Sequence, residues 1–429
     1  MVQFFIALIL MVVIMLIGFP ISFSMGISSV VYILITDPHN ITEVPIRMFT
    51  GLNSFVLLAL PFFMFAAELM IRSGVSKKLF DFIKFFFGRI RGGLAIVNVL
   101  VSTVFGSISG SSLSDIASLG KIEINAMLED GYDKHFTCAI TAASALQSPL
   151  IPPSIIALMY AAVTGLSAGA VLMGGLVPGL LLGGSQISYV VLMGKKLNFP
   201  KHTERYSRAE IKRIIKDGLI AIVMPLIILG GIVFGIVTPT EAAGVAVVYA
   251  LFVGLLVFRN LKMKDIIESL WAASKSTANL FLIVSFSSIF SWVMGIQQIP
   301  DKLAIYLLSV VHSPYTLLLL ICIFLIIVGM LMDTGAAIIL FAPILSQITY
   351  KAGINPIHFA IVMLLDLVIG LITPPVGLTL YATCVVGEEK FEDLVKAEVP
   401  FIIIGFALLA LVAYFPEISL FVPRIFHLF

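Results

Sequence analysis

Charged side chains are scarce in this sequence. Only 12% of its 429 residues are Asp, Glu, Lys or Arg, whereas 60% are apolar and the mean hydropathy is +1.13. An ordinary soluble domain has about a quarter of its residues charged, so a water-soluble fold is excluded. Long apolar runs, among them Phe4 to Leu34, Leu219 to Val237 and Phe401 to Tyr414, predict an all-α polytopic membrane protein. These runs do not alternate as the strands of a membrane β-barrel would.

The sequence also has little net charge and few cysteines, and it lacks nucleotide-binding and leader-peptide motifs. The net charge of +2 argues against nucleic acid as a partner. Three widely spaced cysteines, Cys138, Cys322 and Cys384, predict buried thiols and neither a disulfide framework nor a metal cluster. A Walker-type phosphate loop is missing, so the chain has no ATPase of its own. The start, Met1 to Leu16, lacks a basic segment and a cleavage site, which predicts a retained first span.

A membrane-embedded enzyme would need a nucleophile and base, or metal ligands, at membrane depth. The six histidines instead lie in loops or near the ends of apolar runs: His39, His135, His202, His312, His358 and His427. We therefore predict that the chain is not an enzyme.

The basic residues that are present gather in two stretches. Arg72 to Arg91 holds six Lys or Arg against Asp81, and Lys195 to Asp217 holds eight against three acidic residues. Cytoplasmic loops carry an excess of Lys and Arg, so both stretches are predicted to face the cytoplasm. The loops at Asp37 to Thr42, Thr238 to Glu241 and Gln297 to Asp301 have little basic charge and are predicted to lie outside.

The basic stretches also have the pattern of short helices lying at the membrane surface. Ser207 and Glu210 have the spacing of a capping box that would begin such a helix before the span at Leu219. Similar charged preludes occur at Lys262 to Ser274 and at Lys390 to Glu398. A solvated loop is the alternative for each stretch, and both alternatives place it at the cytoplasmic surface.

The chain repeats itself at an offset of 222 residues. Pro152-Pro153 falls on Pro374-Pro375, Gly131 on Gly353, and Gly165 on Gly387. The loop charges place the start of the second copy on the opposite side of the membrane from the start of the first, so the two repeats are predicted to be inverted, as in many secondary transporters. The predicted units are repeat 1 at 1–195, with a re-entrant hairpin at about 94–120 and a Pro-broken span at about 136–165, a basic linker or interfacial helix at 196–217, and repeat 2 at 218–429, with a hairpin at about 314–348 and a broken span at about 359–387.

Four polar breaks interrupt the apolar sequence, at 106–115, 147–154, 329–335 and 370–377. Irregular backbone survives at membrane depth only where it lines a cavity or is buried in protein. Opened helices leave carbonyl oxygens free, and Ser and Thr add hydroxyls, which together suit a desolvated Na⁺. The positive N-termini of half-helices suit a carboxylate. Tight helix packing at glycines or a simple proline kink is the alternative for any single break.

Three carboxylates lie in or beside these breaks. Asp333 is the strongest candidate for a functional group, because intramembrane carboxylates are functional candidates by default. Asp115 is either a site residue or a cap for the second arm of the first hairpin. Asp366 either belongs to the site or makes a hydrogen bond between helices.

At these residues the sequence resembles the DctM-like large membrane subunit of tripartite ATP-independent periplasmic (TRAP) transporters. The resemblance covers essentially the whole chain, and it rests on the motifs Gly106–Ser112, Pro152–Ser154, Thr238–Ala243, Met332–Ala336 and Thr373–Gly377. It implies Na⁺-coupled import of a carboxylate, of the sialic-acid or C4-dicarboxylate type, delivered by a periplasmic substrate-binding protein. It further implies a small four-helix membrane subunit as partner, a bacterial inner-membrane location and an elevator mechanism with transport and scaffold domains. A one-component Na⁺/carboxylate symporter is the alternative.

The resemblance also implies two Na⁺ sites, each between a hairpin tip and a break. The candidate Na⁺ ligands are Gly106, Ser107, Ser109, Gly110, Ser112, Pro153, Ser154, Gly329, Met332, Asp333, Gly335, Thr373, Val376 and Gly377. The candidate substrate-binding residues are Ser107, Ser109, Ser111, Gln147, Ser148, Asp333 and Thr334.

Overall fold

A computed structural model describes residues 2–201, 206–311 and 313–428. His202, His312 and the part of the predicted linker at 202–205 therefore lie outside the described residues. The α-helices are α1 (Val2–Leu16), α2 (Ile21–Thr36), α3 (Glu43–Leu52), α4 (Ala59–Arg72), α5 (Val75–Phe87), α6 (Gly93–Ser109), α7 (Ser112–Asp115), α8 (Lys121–Glu129), α9 (Lys134–Ser144), α10 (Ile155–Thr164), α11 (Ala168–Met193), α12 (Arg208–Val233), α13 (Pro239–Phe252), α14 (Met263–Ile296), α15 (Ile299–Val310), α16 (Pro314–Leu331), α17 (Thr334–Lys351), α18 (Pro356–Gly370), α19 (Leu378–Gly387), α20 (Phe391–Tyr414) and α21 (Pro416–Ile425).

The predicted all-helical membrane fold is confirmed. Seven helices in the described ranges are long and apolar enough to cross a membrane, and the bent pair α6 and α7–α8 would be an eighth. Apolar side chains on these spans face outward: Leu192, Val248 and Ile403 are 79%, 68% and 61% exposed. Patches of this kind are unfavourable in water but are covered by lipid tails in a bilayer.

The first polar break turns the chain back on itself. Helix α6 ends at Ser109 and is followed by Gly110, which has a φ of +62°, and the next helical segment leaves at 119° to α6. A left-handed residue at this position favours glycine, because a Cβ would be strained there. The two arms pack together, since the Asn98 amide lies 3.9 Å from the Met127 sulfur. The second arm passes through a π-helical turn at Ile116–Gly120 and ends at Glu129.

The third break makes a second hairpin from α16 and α17. Phe324 and Phe341, about equally far from the break, meet edge to face with ring centroids 5.1 Å apart. Two residues this far apart along a continuous helix would be separated by about 25 Å. The chain therefore folds back between Leu331 and Thr334.

The second and fourth breaks each divide a span in two. Helix α9 runs into a 3₁₀ turn at Ala145–Gln147, and α10 begins after Pro152-Pro153. Helix α18 ends at Gly370, and α19 begins after Pro374-Pro375. Both Pro-Pro peptide bonds are cis.

Two helices that the predicted repeat makes counterparts run in opposite directions. The 222-residue offset makes α4 the counterpart of the second half of α14. Arg72, at the end of α4, bonds Glu268 near the start of α14 at 2.6 Å, whereas Met64 further back contacts Thr277 further on at 3.6 Å. The two helices are thus antiparallel, as inverted repeats require.

The two basic stretches lie at one end of the molecule. Lys78 pairs with Asp217 at 2.6 Å, and an isolated bridge joins Arg91 to Lys201. This shared face agrees with the predicted cytoplasmic side, where the excess of Lys and Arg would lie.

The predicted surface helices differ from the structure in one respect. The prelude in the first basic stretch is a separate helix, α5, but the other preludes continue without a break into the spans α12, α14 and α20. The capping box is present: Ser207 N donates to Glu210 Oε2 at 2.7 Å, and Glu210 N donates to Ser207 Oγ at 3.3 Å. It begins a 26-residue helix, α12, which continues through Gly218 into the span at Leu219.

Candidate functional site

Both hairpin tips and both broken spans meet at one polar cavity of about 410 Å³. Its walls come from the first hairpin tip, the α9–α10 break, α4, α14, the second hairpin tip and the α18–α19 break. The lining residues are Met64, Gly110, Ser111, Ser112, Leu113, Pro149, Ile155, Ile156, Met159, Ser276, Asn279, Leu280, Asp333, Thr334, Gly335 and Leu371. The cavity thus gathers six of the predicted site residues: Gly110, Ser111, Ser112, Asp333, Thr334 and Gly335.

Three helical segments begin at the cavity wall. Ser112 starts the second arm of the first hairpin, Ile155 starts α10, and Thr334 starts α17. Helix N-termini carry partial positive charge and unpaired N–H groups. No Lys, Arg or His is among the residues that line the cavity. An anion held there would therefore be stabilised by backbone N–H groups and by any cation bound beside it.

Asp333 supplies the negative charge of the cavity. Its Oδ1 accepts hydrogen bonds from Gly335 N at 2.9 Å and from Ala336 N at 3.3 Å, so it caps α17. Its side chain lies at the cavity wall, where the second carboxylate oxygen can serve a ligand. Asp333 therefore fixes the start of α17 with one oxygen and lies at the cavity wall.

The first hairpin packs directly on the second break through glycines. A Cβ at Gly106 would lie 2.6 Å from Ser148 Cα, and a Cβ at Gly110 would lie 2.7 Å from the Pro153 carbonyl oxygen. Such separations leave no room for any side chain. The tip and the break therefore form one packed unit, in which the Pro153 carbonyl oxygen lies against Gly110.

Asp115, in the second arm of the first hairpin, also connects this hairpin to the second break. It is 1% exposed, and its Oδ2 accepts a hydrogen bond from Ser148 Oγ at 3.1 Å. The alternative that it caps the second arm is wrong, because its side chain makes no capping hydrogen bond. A buried carboxylate here needs a polar partner, and Ser148 of the second break provides it.

The second hairpin packs on the fourth break in a related way. Gly329 and Gly370 are in backbone contact, since a Cβ at Gly370 would lie 2.5 Å from the Gly329 carbonyl carbon. Thr373 Oγ1 donates to the Ile369 carbonyl at 2.8 Å. Gly377, with a φ of +62°, begins α19 in a left-handed conformation. Met332 and Val376 lie in the irregular segments on the two sides of this contact.

The serine hydroxyls predicted as ligands differ in whether they already make hydrogen bonds within the protein. Ser107 donates to the Val104 carbonyl at 2.5 Å, and Ser154 caps α10 by accepting from Ala157 N at 3.1 Å. Ser109 lies 3.5 Å from the Ser111 backbone. Ser112 Oγ is buried and makes no hydrogen bond within the described residues. Because a buried unpaired hydroxyl is costly, Ser112 is the hydroxyl most suited to a bound ion.

Two predicted residues point away from the cavity. Gln147 donates to Gln186 Oε1 at 3.0 Å and accepts a hydrogen bond from the Thr103 hydroxyl, so its amide is engaged toward α6 and α11. Asp366 is fully buried beside the Cys322 thiol of α16. Neither of its carboxylate oxygens makes a hydrogen bond within the described residues, so the alternative of a hydrogen bond between helices is not seen.

Sequence reasoning missed the wall that α14 contributes. Ser276 and Asn279 line the cavity opposite the hairpin tips. The signal was a polar run, Lys275 to Asn279, which directly follows the charged prelude at Lys262 to Ser274. This run contains no Gly or Pro, the residues that marked the four breaks, and α14 continues through it.

Comparison with known proteins identifies close relatives of this arrangement. The family described as "Tripartite ATP-independent periplasmic transporter, DctM component" matches residues 8–418. The sialic acid TRAP transporter large permease protein of Vibrio cholerae is 36% identical, over 95% of this chain and 96% of its own length. The C4-dicarboxylate TRAP transporter large permease protein of Pseudomonas aeruginosa is 37% identical, over 94% of each chain. The Alcanivorax borkumensis YdaH transporter is similar in fold, with a TM-score of 0.61 at 13% identity over 88% of each chain.

Proposed function

This chain belongs to the DctM family, the large membrane subunits of TRAP transporters, and on that premise we propose that it couples Na⁺ entry to import of a carboxylate. Large permeases of this family work with a periplasmic binding protein and usually with a small membrane subunit. They are transporters and not enzymes. The proposed location is the inner membrane of a bacterium, with the binding protein delivering substrate from the periplasm and the small four-helix subunit alongside.

The cavity between the two hairpin tips is the observation that carries this proposal. It offers helix N-termini to a carboxylate and one carboxylate, Asp333, to a cation. Without a basic side chain in the wall, a bound substrate anion and Asp333 together leave the site negative. Bound Na⁺ would offset that charge, which makes substrate binding depend on Na⁺.

The proposed Na⁺ sites are the two contacts between a hairpin and a broken span. Each contact joins backbone to backbone at glycines, Gly106 and Gly110 in one and Gly329 and Gly370 in the other. Na⁺ takes oxygen ligands, and unwound helices supply carbonyl oxygens at such places. The buried, unpaired Ser112 hydroxyl favours the first contact in particular.

An elevator movement fits the way these parts pack. Each hairpin is held to its broken span, and α10 of the first repeat packs on α17 of the second, where Gly335 approaches Met159. These elements can move as one body. Helix α14 forms the opposite wall with Ser276 and Asn279, and in this proposal it belongs to the scaffold.

The substrate class is proposed from the relatives. Their names specify sialic acid and C4-dicarboxylates, which are all carboxylates. A cavity of about 410 Å³ is at the lower end of ordinary ligand pockets. It is large enough for a four-carbon diacid or a nine-carbon sugar acid, so size alone does not choose between them.

The test is uptake by proteoliposomes that contain this chain and its small subunit. Labelled sialic acid and labelled succinate are supplied with the cognate binding protein, with and without an inward Na⁺ gradient. We expect uptake of one of them only with both Na⁺ and binding protein. Equal uptake with and without the gradient would overturn Na⁺ coupling. Uptake without the binding protein would favour the one-component symporter instead.

A further inference from the structure

A cluster of metal-ligating side chains lies outside the cavity, where the two repeats meet at one end of the molecule. His135 is on the first turn of α9, Glu389 lies between α19 and α20, and Asp393 is on the first turn of α20. One ligand atom from each of these three side chains lies within 4.8 Å of the other two. The fold therefore brings His135 to the two carboxylates, since 254 positions separate it from Glu389.

Glu389 is the part of this cluster that points to a ligand. Its side chain is only 6% exposed, although it is a carboxylate. Glu389 Oε1 accepts a hydrogen bond from Lys390 N at 2.9 Å, but Oε2 makes none within the described residues. Oε2 instead faces His135 Nδ1 at 3.2 Å. A buried carboxylate oxygen needs compensation, and either a protonated imidazole or a shared metal ion would provide it.

The spacing fits a metal ion. Ligands at about 2.1 Å from a tetrahedral Zn²⁺ lie about 3.4 Å from one another. His135 Nδ1 and Glu389 Oε2 are already at that separation, and a rotation of the Asp393 side chain, which is 37% exposed, would complete three ligands. Water would take the fourth position, as it does in zinc sites with three protein ligands.

Most of the charged groups around this cluster are acidic, which favours a bound cation. The segment 388–393 has four acidic residues and one lysine. Lys134 is held by the Glu388 carbonyl at 2.6 Å, and Lys396 pairs with Asp393 Oδ1 at 3.3 Å, which leaves the other Asp393 oxygen. Asp133 is occupied as the cap of α9, where it accepts from Phe136 N at 2.9 Å. Both lysines are therefore engaged by oxygens other than Glu389 Oε2.

We propose that His135, Glu389 and Asp393 bind one divalent transition cation of the Zn²⁺ type. Imidazole and carboxylate together suit such ions better than Mg²⁺ or Ca²⁺, which prefer oxygen ligands alone. The bound ion ties the start of the first broken span to the end of the second. Phe136, next to His135, packs on Phe199 of the second basic stretch at 4.5 Å, which places the metal site at the basic end of the molecule.

The test measures metal binding directly and requires no transport. The full chain is purified without a polyhistidine tag, stripped with a chelator, and dialysed against Zn²⁺ or Mg²⁺ at micromolar concentration. We expect one Zn²⁺ per chain by elemental analysis and a rise in Tm of about 2 °C or more at saturation. Mg²⁺ is expected to produce neither result.

His135→Asn is the decisive variant, because the His135 side chain is 49% exposed and its loss leaves the core intact. We expect it to abolish both the bound Zn²⁺ and the rise in Tm, and Glu389→Gln to do the same. His39→Asn, at an exposed histidine far from the cluster, is the matched control and should behave as the wild type. Zn²⁺ bound equally by the His135→Asn variant would overturn the proposal. Absence of Zn²⁺ from the wild type would also overturn it, and would reduce the contact to an ion pair between His135 and Glu389.

Discussion

Ser148 donates a hydrogen bond from Oγ to Oδ2 of Asp115 at 3.1 Å, and this bond ties the first hairpin to the first broken span. Hydrogen bonds to buried charged groups contribute about 1.5–3 kcal/mol, and losing one partner leaves the other unsatisfied. We expect Ser148→Ala to lower the free energy of unfolding by about 1–3 kcal/mol, measured by thermal unfolding in detergent.

A double-mutant cycle isolates this bond. Asp115→Asn removes the buried carboxylate, so we expect Ser148→Ala to cost less in that background, with a coupling of about 1 kcal/mol. Ser188→Ala is the control, because its exposed hydroxyl bonds only to the Gly184 carbonyl of its own helix. Fully additive effects of Ser148→Ala and Asp115→Asn would show that the contact carries no energy.

The close contact between Gly329 and Gly370 leaves no space for a methyl group at Gly370. A Cβ at Gly370 would lie 2.5 Å from the Gly329 carbonyl carbon, and that backbone cannot retreat without moving the second hairpin. We expect Gly370→Ala to destabilise the protein by about 1–3 kcal/mol and to reduce Na⁺-dependent uptake at least tenfold.

Gly184→Ala is the matched control for that substitution. Gly184 is also helical, and a Cβ added there would meet no other atom within 4 Å. Ala is the better helix former, so this variant should be as stable as the wild type or slightly more stable. Wild-type uptake by Gly370→Ala would show that the second hairpin and its broken span need not stay in contact.

The two roles of Asp333 can be separated by substitution. Asn keeps an oxygen that accepts from Gly335 N and Ala336 N, whereas Ala removes both the cap and the charge. We expect Asp333→Asn to raise the Na⁺ concentration for half-maximal uptake at least tenfold while Tm changes little. Asp333→Ala should also lose about 1 kcal/mol of stability with the cap. Unchanged Na⁺ dependence in Asp333→Asn would remove this carboxylate from the cation site.

Substitution of Asn279 is expected to change the KM for substrate and to leave the Na⁺ dependence of uptake unchanged. It faces the cavity from α14, outside both proposed Na⁺ sites, so its amide can contact substrate without contacting Na⁺. Loss of one hydrogen bond of about 1 kcal/mol corresponds to about a fivefold change in affinity. We expect Asn279→Ala to raise the KM for substrate about fivefold with unchanged Na⁺ dependence, and Ser274→Ala, on the same helix but outside the lining, to change neither. A shift in Na⁺ dependence with constant KM would contradict this assignment.

Sequence patterns predicted the hairpins and broken spans from local composition, because polar and helix-breaking residues are rare inside apolar spans. Glycine, proline and serine are conspicuous in a run of apolar residues, and the 222-residue offset repeats them. The lengths of α12, α14 and α20 were harder to predict. Their charged first turns have the pattern of separate surface helices, but the helices continue into the spans, even through Gly218 in α12 and Pro400 in α20.

The sequence alone does not predict which way each polar side chain of the site points. Ser112 and Gln147 both lie in polar breaks, yet the hydroxyl of Ser112 is unpaired at the cavity while the amide of Gln147 is engaged by Thr103 and Gln186. Which way each points depends on helices far away in the chain. The wall formed by Ser276 and Asn279 also requires that α14 cross the hairpin tips, which is a tertiary contact.

In the proposed function, the three helical segments that begin at the cavity would leave recognition of the carboxylate to main-chain N–H groups. Every amino acid except proline carries the same N–H group, so ordinary point substitutions around the cavity preserve the attraction for a carboxylate. The side chains of Ser111, Ser276 and Asn279 are then free to vary, and with them the rest of the cargo that fits. A framework of this kind can diversify its cargo over evolutionary time by changing a few side chains, without rebuilding the means by which it holds a negative charge.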